Sequence, residues 1–215
     1  MAGLAMVGVA SNAGAATVLL GASGWQASWD NSLDPYVDVH VVATGADEVF
    51  IQKSAEFTQG PNQFGLFPTI PIVFRQIAAN AVSKIIIEDE IITNSTGTDW
   101  TDFHMDILNM GDAWFAHPPG FFFTTSPFDN QSFSPDSMSF NVDGFGLGPG
   151  GSNAVVPSGS TWFPGDGVTD GELVIQTNPH AQAPFEVFTL KETPTPEPAT
   201  LALLAIGALA ATRRR

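Results

Sequence analysis

The sequence predicts an all-β protein: a single antiparallel β-sandwich or jelly-roll-like domain, preceded by a signal segment and followed by a short apolar helix. Three observations carry this reading. Between Thr17 and Glu192 apolar residues recur mostly at every second position, the period of a strand with one buried and one wet face. Gly, Pro, Asn and Asp break that pattern at short intervals, with 21 Gly and 16 Pro in the chain to make the turns. Finally, 17 Phe and 5 Trp supply the bulk that fills the space between two sheets. About nine short strands joined by many turns suit a two-sheet stack.

The elements follow in order. Val37, Val39 and Val41 alternate with Asp38 and His40. Just after Pro71, Phe74, Ile77, Ala78, Ala81 and Ile85 fall at helical spacing and predict the one short helix of the body. Lys84 to Asn94 is rich in β-branched Ile, but Glu88, Asp89 and Glu90 fall across both faces, so a bulge or tight turn is expected there. Phe103, Met105 and Ile107 alternate with Asp102, His104 and Asp106, and Met138, Phe140 and Val142 with Ser137, Ser139 and Asn141. Leu173 and Ile175 beside Glu172, then Phe185 and Val187 around Glu186, give two more strands with a wet acidic face. Loops are expected at 59–62, 94–98, 118–120 and above all 144–151, where five Gly and one Pro fall within eight residues.

Charge excludes one class of partner. Seven basic residues face 22 acidic ones, for a net −15, and three of the seven are Arg213, Arg214 and Arg215; the rest of the chain carries 4 − 22 = −18. No nucleic-acid partner is expected, because phosphate binding needs a basic surface and only Lys53, Arg75, Lys84 and Lys191 remain to form one. The chain has no Cys, hence no disulfide, no thiolate metal site and no cysteine nucleophile.

The two ends read as addresses rather than as fold. Met1 to Ala15 is apolar and small and closes on Ala13-Gly14-Ala15, a pattern that signal peptidase cuts, so residues 1–16 are read as a signal peptide with cleavage after Ala15 or Ala16. No Lys or Arg precedes Lys53, and the basic start such a leader needs is expected upstream of Met1. Residues 17–192 form the β domain, and 193–215 a Pro-rich linker, an apolar helix and a basic cluster. In that tail Pro196-Glu197-Pro198 precede an apolar run from Ala199 to Ala211, and Arg213, Arg214 and Arg215 close it. Positive-inside bias keeps the arginines cytoplasmic. Some 13 apolar residues make about 20 Å of helix against a hydrocarbon core of about 30 Å, a short anchor suited to transient holding.

These three parts, in this order, resemble the PEP-CTERM sorting signal of Gram-negative bacteria. The resemblance covers about the last twenty residues and implies an exosortase-type membrane protease that cuts near Pro196-Glu197-Pro198. It also implies export to the cell envelope, surface or extracellular matrix, in a setting of exopolysaccharide and biofilm production.

Candidate chemistry in the body is thinner. Asp102, His104 and Asp106 project from one strand face at about 7 Å spacing, where a metal site is conceivable and a solvated row is the plainer reading. Asp166, Asp170 and Glu172 lie among glycines and offer oxygen ligands to Ca²⁺, or simply serve a hairpin. Glu88, Asp89 and Glu90 with Asp99 or Asp102 could be drafted as a glycosidase pair, but a solvated acidic turn explains them better. Neither a catalytic constellation nor a metal or cofactor site is assigned. Trp114-Phe115, Phe121-Phe122-Phe123 and Trp162-Phe163 lie near turn residues, where aromatic faces could stack on sugars. The expectation is a non-enzymatic exported protein, with a carbohydrate-binding module as the alternative and a secreted glycoside hydrolase or lyase as a more remote one.

Overall fold

The computed structural model describes residues 14–108, 113–116, 127–128, 130–141, 155–164 and 172–195. Among them the chain is all-β, arranged in two sheets with no α-helix. Strands β1 (Ala15–Leu19), β2 (Trp25–Asp30), β3 (Val37–Thr44), β4 (Glu48–Phe57) and β5 (Ile70–Gln76) come first. Then follow β6 (Lys84–Asn94), β7 (Asp102–Leu108), β8 (Ala113–Ala116), β9 (Asn130–Phe133) and β10 (Ser137–Asn141), and finally β11 (Thr161–Trp162), β12 (Leu173–Thr177) and β13 (Val187–Thr195). One sheet runs β1-β2-β5-β13-β7-β10-β9; the other runs β3-β4-β6-β12-β8, with β11 also paired to β6.

The predicted alternations hold in β3, β7 and β10, where Val37, Val39, Phe103, Met105, Ile107, Met138 and Phe140 are buried. A single core cluster draws on both sheets. Phe103 on β7 is its aromatic hub, with ring centroids 5.8 Å from Phe57 on β4, 5.9 Å from Trp100 and 5.3 Å from Trp162 on β11. The contacts to Phe57 and Trp162 are edge-to-face and that to Trp100 is tilted, arrangements in which large rings pack closely.

Four expectations are corrected. The helix proposed from Phe74 to Ile85 is not formed: Ile70, Ile72, Phe74 and Gln76 are buried on alternate positions of β5, and Ile77 is exposed. The period-2 pattern around Pro71 outweighs the helical spacing, because β5 lies between two neighbours, β2 and β13. Second, the sheets are not wholly antiparallel: β4 and β6 pair in parallel, because β5 crosses to the other sheet between them and the chain returns in the same direction. Third, the wet face assigned to Glu186 is inverted, since Glu186 is buried together with Phe188. Fourth, Thr193 and Pro194 are not linker, as β13 runs on to Thr195.

The acidic triplet does form a bulge. Ile51 opposes Ile87 while Gln52 opposes Asp89, so Glu88 is the extra residue. It keeps Ile85 and Ile87 facing inward before it and Glu90, Ile92 and Asn94 facing inward after it. The cluster is therefore no solvated turn. Gln52 donates to Asp89 on the outer face, and Glu90 lies fully inside.

At the N-terminal end β1 pairs with β2 from Ala15 onward, so Ala15 and Ala16, read as the end of the leader, are strand residues here. Residues 1–13 of the leader and everything from Pro196 onward lie outside the described residues. No helix among the described residues is long and apolar enough to cross a membrane.

Candidate functional site

The strand that leads into the sorting tail, β13, is the last in the described chain and lies in the middle of the larger sheet. Its alternation Phe188, Leu190, Glu192, Pro194 faces the core, and all four are buried. Phe188 stacks on Phe74 at 5.0 Å and meets Trp25 edge-on at 5.8 Å. Val187 to Glu192 pair with β5, and Thr189 to Thr195 with β7. Since β5 begins at Ile70, opposite Glu192, the strand has β7 as its one paired neighbour beyond that point, and Pro194 occupies an edge-like position where its missing N–H is tolerated. Thr101 N–H donates to the Thr195 carbonyl at 3.3 Å and fastens the strand's final residue.

Glu192 is charged chemistry inside the core. Lys53 on β4 extends its ammonium to Glu192 at 2.5 Å across the interior and to Glu90 on β6 beside it; all three side chains are sealed from solvent. Burial alone would pull the Lys53 ammonium down, but Glu192 and Glu90 outweigh it and hold the group above its ordinary value. For Glu90 burial dominates, and with the Glu192 carboxyl pushing the same way it overcomes Lys53, so this carboxyl keeps its proton well above the usual glutamate range. The arrangement ties the two sheets together and presents no atom to a substrate. Pattern reading alone does not single out Lys53 and Glu192; the signal that could is their place in the runs Val49-Ile51-Lys53-Ala55-Phe57 and Phe188-Leu190-Glu192, where every other member is apolar.

The row Asp102, His104, Asp106 lies on the outer face of β7, as expected, and is engaged within the sheet. His104 Nε2 and Asp102 Oδ2 are 3.0 Å apart, and this hydrogen bond raises the imidazole's affinity for its proton against partial burial. Asp106 is paired with Lys191 Nζ at 2.8 Å and accepts from Ser137 Oγ at 2.8 Å; despite partial burial these partners hold its carboxyl below the ordinary range. Among the described residues no group of three or more His, Cys, Asp or Glu is placed to hold a metal. Asp166 and Asp170 lie outside the described residues; Glu172, half-buried and near Glu88 and Glu48, has a raised pKa.

The aromatic candidates divide. Trp162 is buried in the core and is not available as a sugar platform, whereas its neighbour Phe163 is 51% exposed. Trp114 is 37% exposed on β8, an outer strand of the smaller sheet, while Phe115 is buried. Phe121 to Phe123 lie outside the described residues. A shallow recess of ≈ 220 Å³ on the outer face of the smaller sheet is lined by Tyr36, Ile91, Asp34, Asp38 and Glu56 among others.

Pro196, Glu197, Pro198, Arg213, Arg214 and Arg215 lie outside the described residues, and their evidence is sequence: residues 194–215 match the PEP-CTERM protein-sorting motif. The chain thus carries a PEP-CTERM sorting signal, which implies processing by exosortase, export and association with the cell surface. The motif's first two residues, Pro194 and Thr195, are the last two of β13. No curated protein and no solved structure matches the chain.

Proposed function

We propose that this chain is a non-enzymatic protein of the cell surface or extracellular matrix. Its β domain is exported behind the N-terminal leader, which signal peptidase removes, and is held for a time by the apolar segment Ala199 to Ala211. It is then freed by an exosortase-type protease near Pro196-Glu197-Pro198 and retained among exopolysaccharide. The observation that carries this reading is the sorting motif abutting the last strand of the sandwich without an intervening domain. A non-enzymatic role is supported by the state of the ionisable groups the fold brings together. The Lys53 cluster is closed to solvent, and Asp102 and Asp106 are occupied with partners inside the sheet.

The test follows the chain in an exosortase-bearing host. The native chain is expected at the surface in a form that has lost Arg213 to Arg215, while the triple variant Pro196→Ala, Glu197→Gln, Pro198→Ala stays membrane-bound at full length. A native chain that kept its arginines and remained in the cytosol would overturn the reading. Contact with polysaccharide has its own reporter: of the five tryptophans only Trp114 is exposed, so quenching of fluorescence that disappears in Trp114→Phe marks a bound glycan at β8.

A further inference from the structure

The end of the sandwich at which β13 leaves carries a second feature. The loop 58–69 joins β4 to β5, and because Ile70 pairs with Glu192 it lies at the same end as Thr195. Phe64 is 69% and Leu66 64% exposed in this loop, the two highest values among the large apolar side chains described, while Phe67 turns into the core. Their display is built rather than loose. Asn62 Oδ1 accepts from the Phe64 N–H at 2.9 Å and the Leu66 N–H at 3.1 Å, and Asn62 N–H donates to the Leu66 carbonyl at 2.8 Å. Gly65, at φ +77°, makes the turn between them, a conformation that suits glycine. The loop thus holds two large hydrophobes in water at a fixed place.

What covers them follows from the length of chain beyond the strand. Only Pro196, Glu197 and Pro198 separate Thr195 from the apolar run that begins at Ala199. Three extended residues reach about 10 Å, little more than a headgroup layer of about 5–7 Å. We infer that the Phe64–Leu66 turn is a membrane-contacting element that seats this end of the sandwich on the lipid interface while the precursor awaits cleavage. The inference rests on the proposed embedding of the tail. Asp30, Asp34 and Asp99 are exposed at the same end, so the surface that fits is a zwitterionic one, which does not repel them.

The chain has no Cys, so single labels can be placed without background. Full-length chains carrying Gln63→Cys, Val42→Cys or Leu203→Cys, each with an environment-sensitive fluorophore, would be reconstituted in phosphatidylcholine vesicles and quenched with aqueous iodide. Val42 is exposed on β3 towards the opposite end. The label at 203 should be shielded, and the label at 63 quenched roughly threefold less than that at 42, as for a turn seated in the interface. Adding Phe64→Asp and Leu66→Asp should restore quenching at 63 to the level at 42. A shielded 203 with 63 as open as 42 overturns the inference and leaves the tail reading intact. An open 203 removes the tail reading, and the inference with it. Shielding at 63 that survives the double Asp change also overturns it.

Discussion

Lys53 on β4 and Glu192 on β13 meet at 2.5 Å across the interior, so the strand that ends in the sorting motif is tied by charge to the opposite sheet. Glu90 shares the same ammonium. A fully buried cation between two carboxyls is stable only as a set, because each partner compensates the desolvation of the others.

Removing the cation alone should therefore be severe. Lys53→Met is expected to lower unfolding free energy in urea by about 3–5 kcal/mol, since it leaves two carboxyls inside with nothing to balance them. The triple change Lys53→Met, Glu90→Leu, Glu192→Leu should return the protein to within about 1 kcal/mol of the native chain or exceed it. A near-neutral single variant would show that the set contributes nothing to holding the sheets together.

The raised Glu90 carboxyl sets a pH dependence. Its folded pKa lies above its unfolded one, so the folded state binds the extra proton, and this contribution is whole below the ordinary glutamate value of 4.5 and is lost as pH rises through the folded value. The sandwich should weaken from mildly acidic towards alkaline pH. His104, also raised, acts in the same sense above 6.5. Glu90→Gln should flatten the slope by up to about 1.4 kcal/mol per pH unit in that window, read from urea midpoints. Parallel slopes for the two proteins would refute the assignment.

Glu88 is the residue that β6 can spare. Its deletion converts the Ile87/Asp89 step into regular pairing with Ile51 and Gln52 and leaves Glu90, Ile92 and Asn94 facing inward. The cost should stay within about 1 kcal/mol, whereas deletion of Ile91 throws Ile92 and Asn94 out of phase and should prevent cooperative unfolding. Equal losses in the two deletions would rule out the bulge.

Aromatic bulk should matter by position. Phe103→Ala empties the hub between Phe57, Trp100 and Trp162 and should cost about 3–5 kcal/mol. Phe163→Ala, at a half-exposed site, should stay within about 0.5 kcal/mol by the same thermal or urea measurement.

How far the letters reached can be judged residue by residue. Period 2 found β3, β7 and β10 because their outward positions are plainly polar, and the clash of Glu88, Asp89 and Glu90 with that period located the bulge. Helical spacing misleads at Phe74 to Ile85, where apolar residues of β5, of the loop after it and of β6 fall by coincidence at that period. Period 2 passes over the interior charges, since Lys53, Glu90 and Glu192 are residues whose usual place is outside. Nothing local marks such a set: its members lie 37 and 102 residues apart along the chain (90 − 53 and 192 − 90) and gain meaning only when the two sheets face each other. The parallel pairing of β4 with β6 was hidden for a related reason, as it depends on β5 belonging to the other sheet. The sorting tail was fully legible because it is read as a linear address, whatever the fold in front of it.

The middle position of β13 couples manufacture to destination. Without that segment the flanks of β5 and β7 stand open and the larger sheet is two separate halves. A chain cut short before this segment lacks both the sorting motif and the strand that joins the two halves of the larger sheet, so one stretch of sequence completes the fold and carries the address.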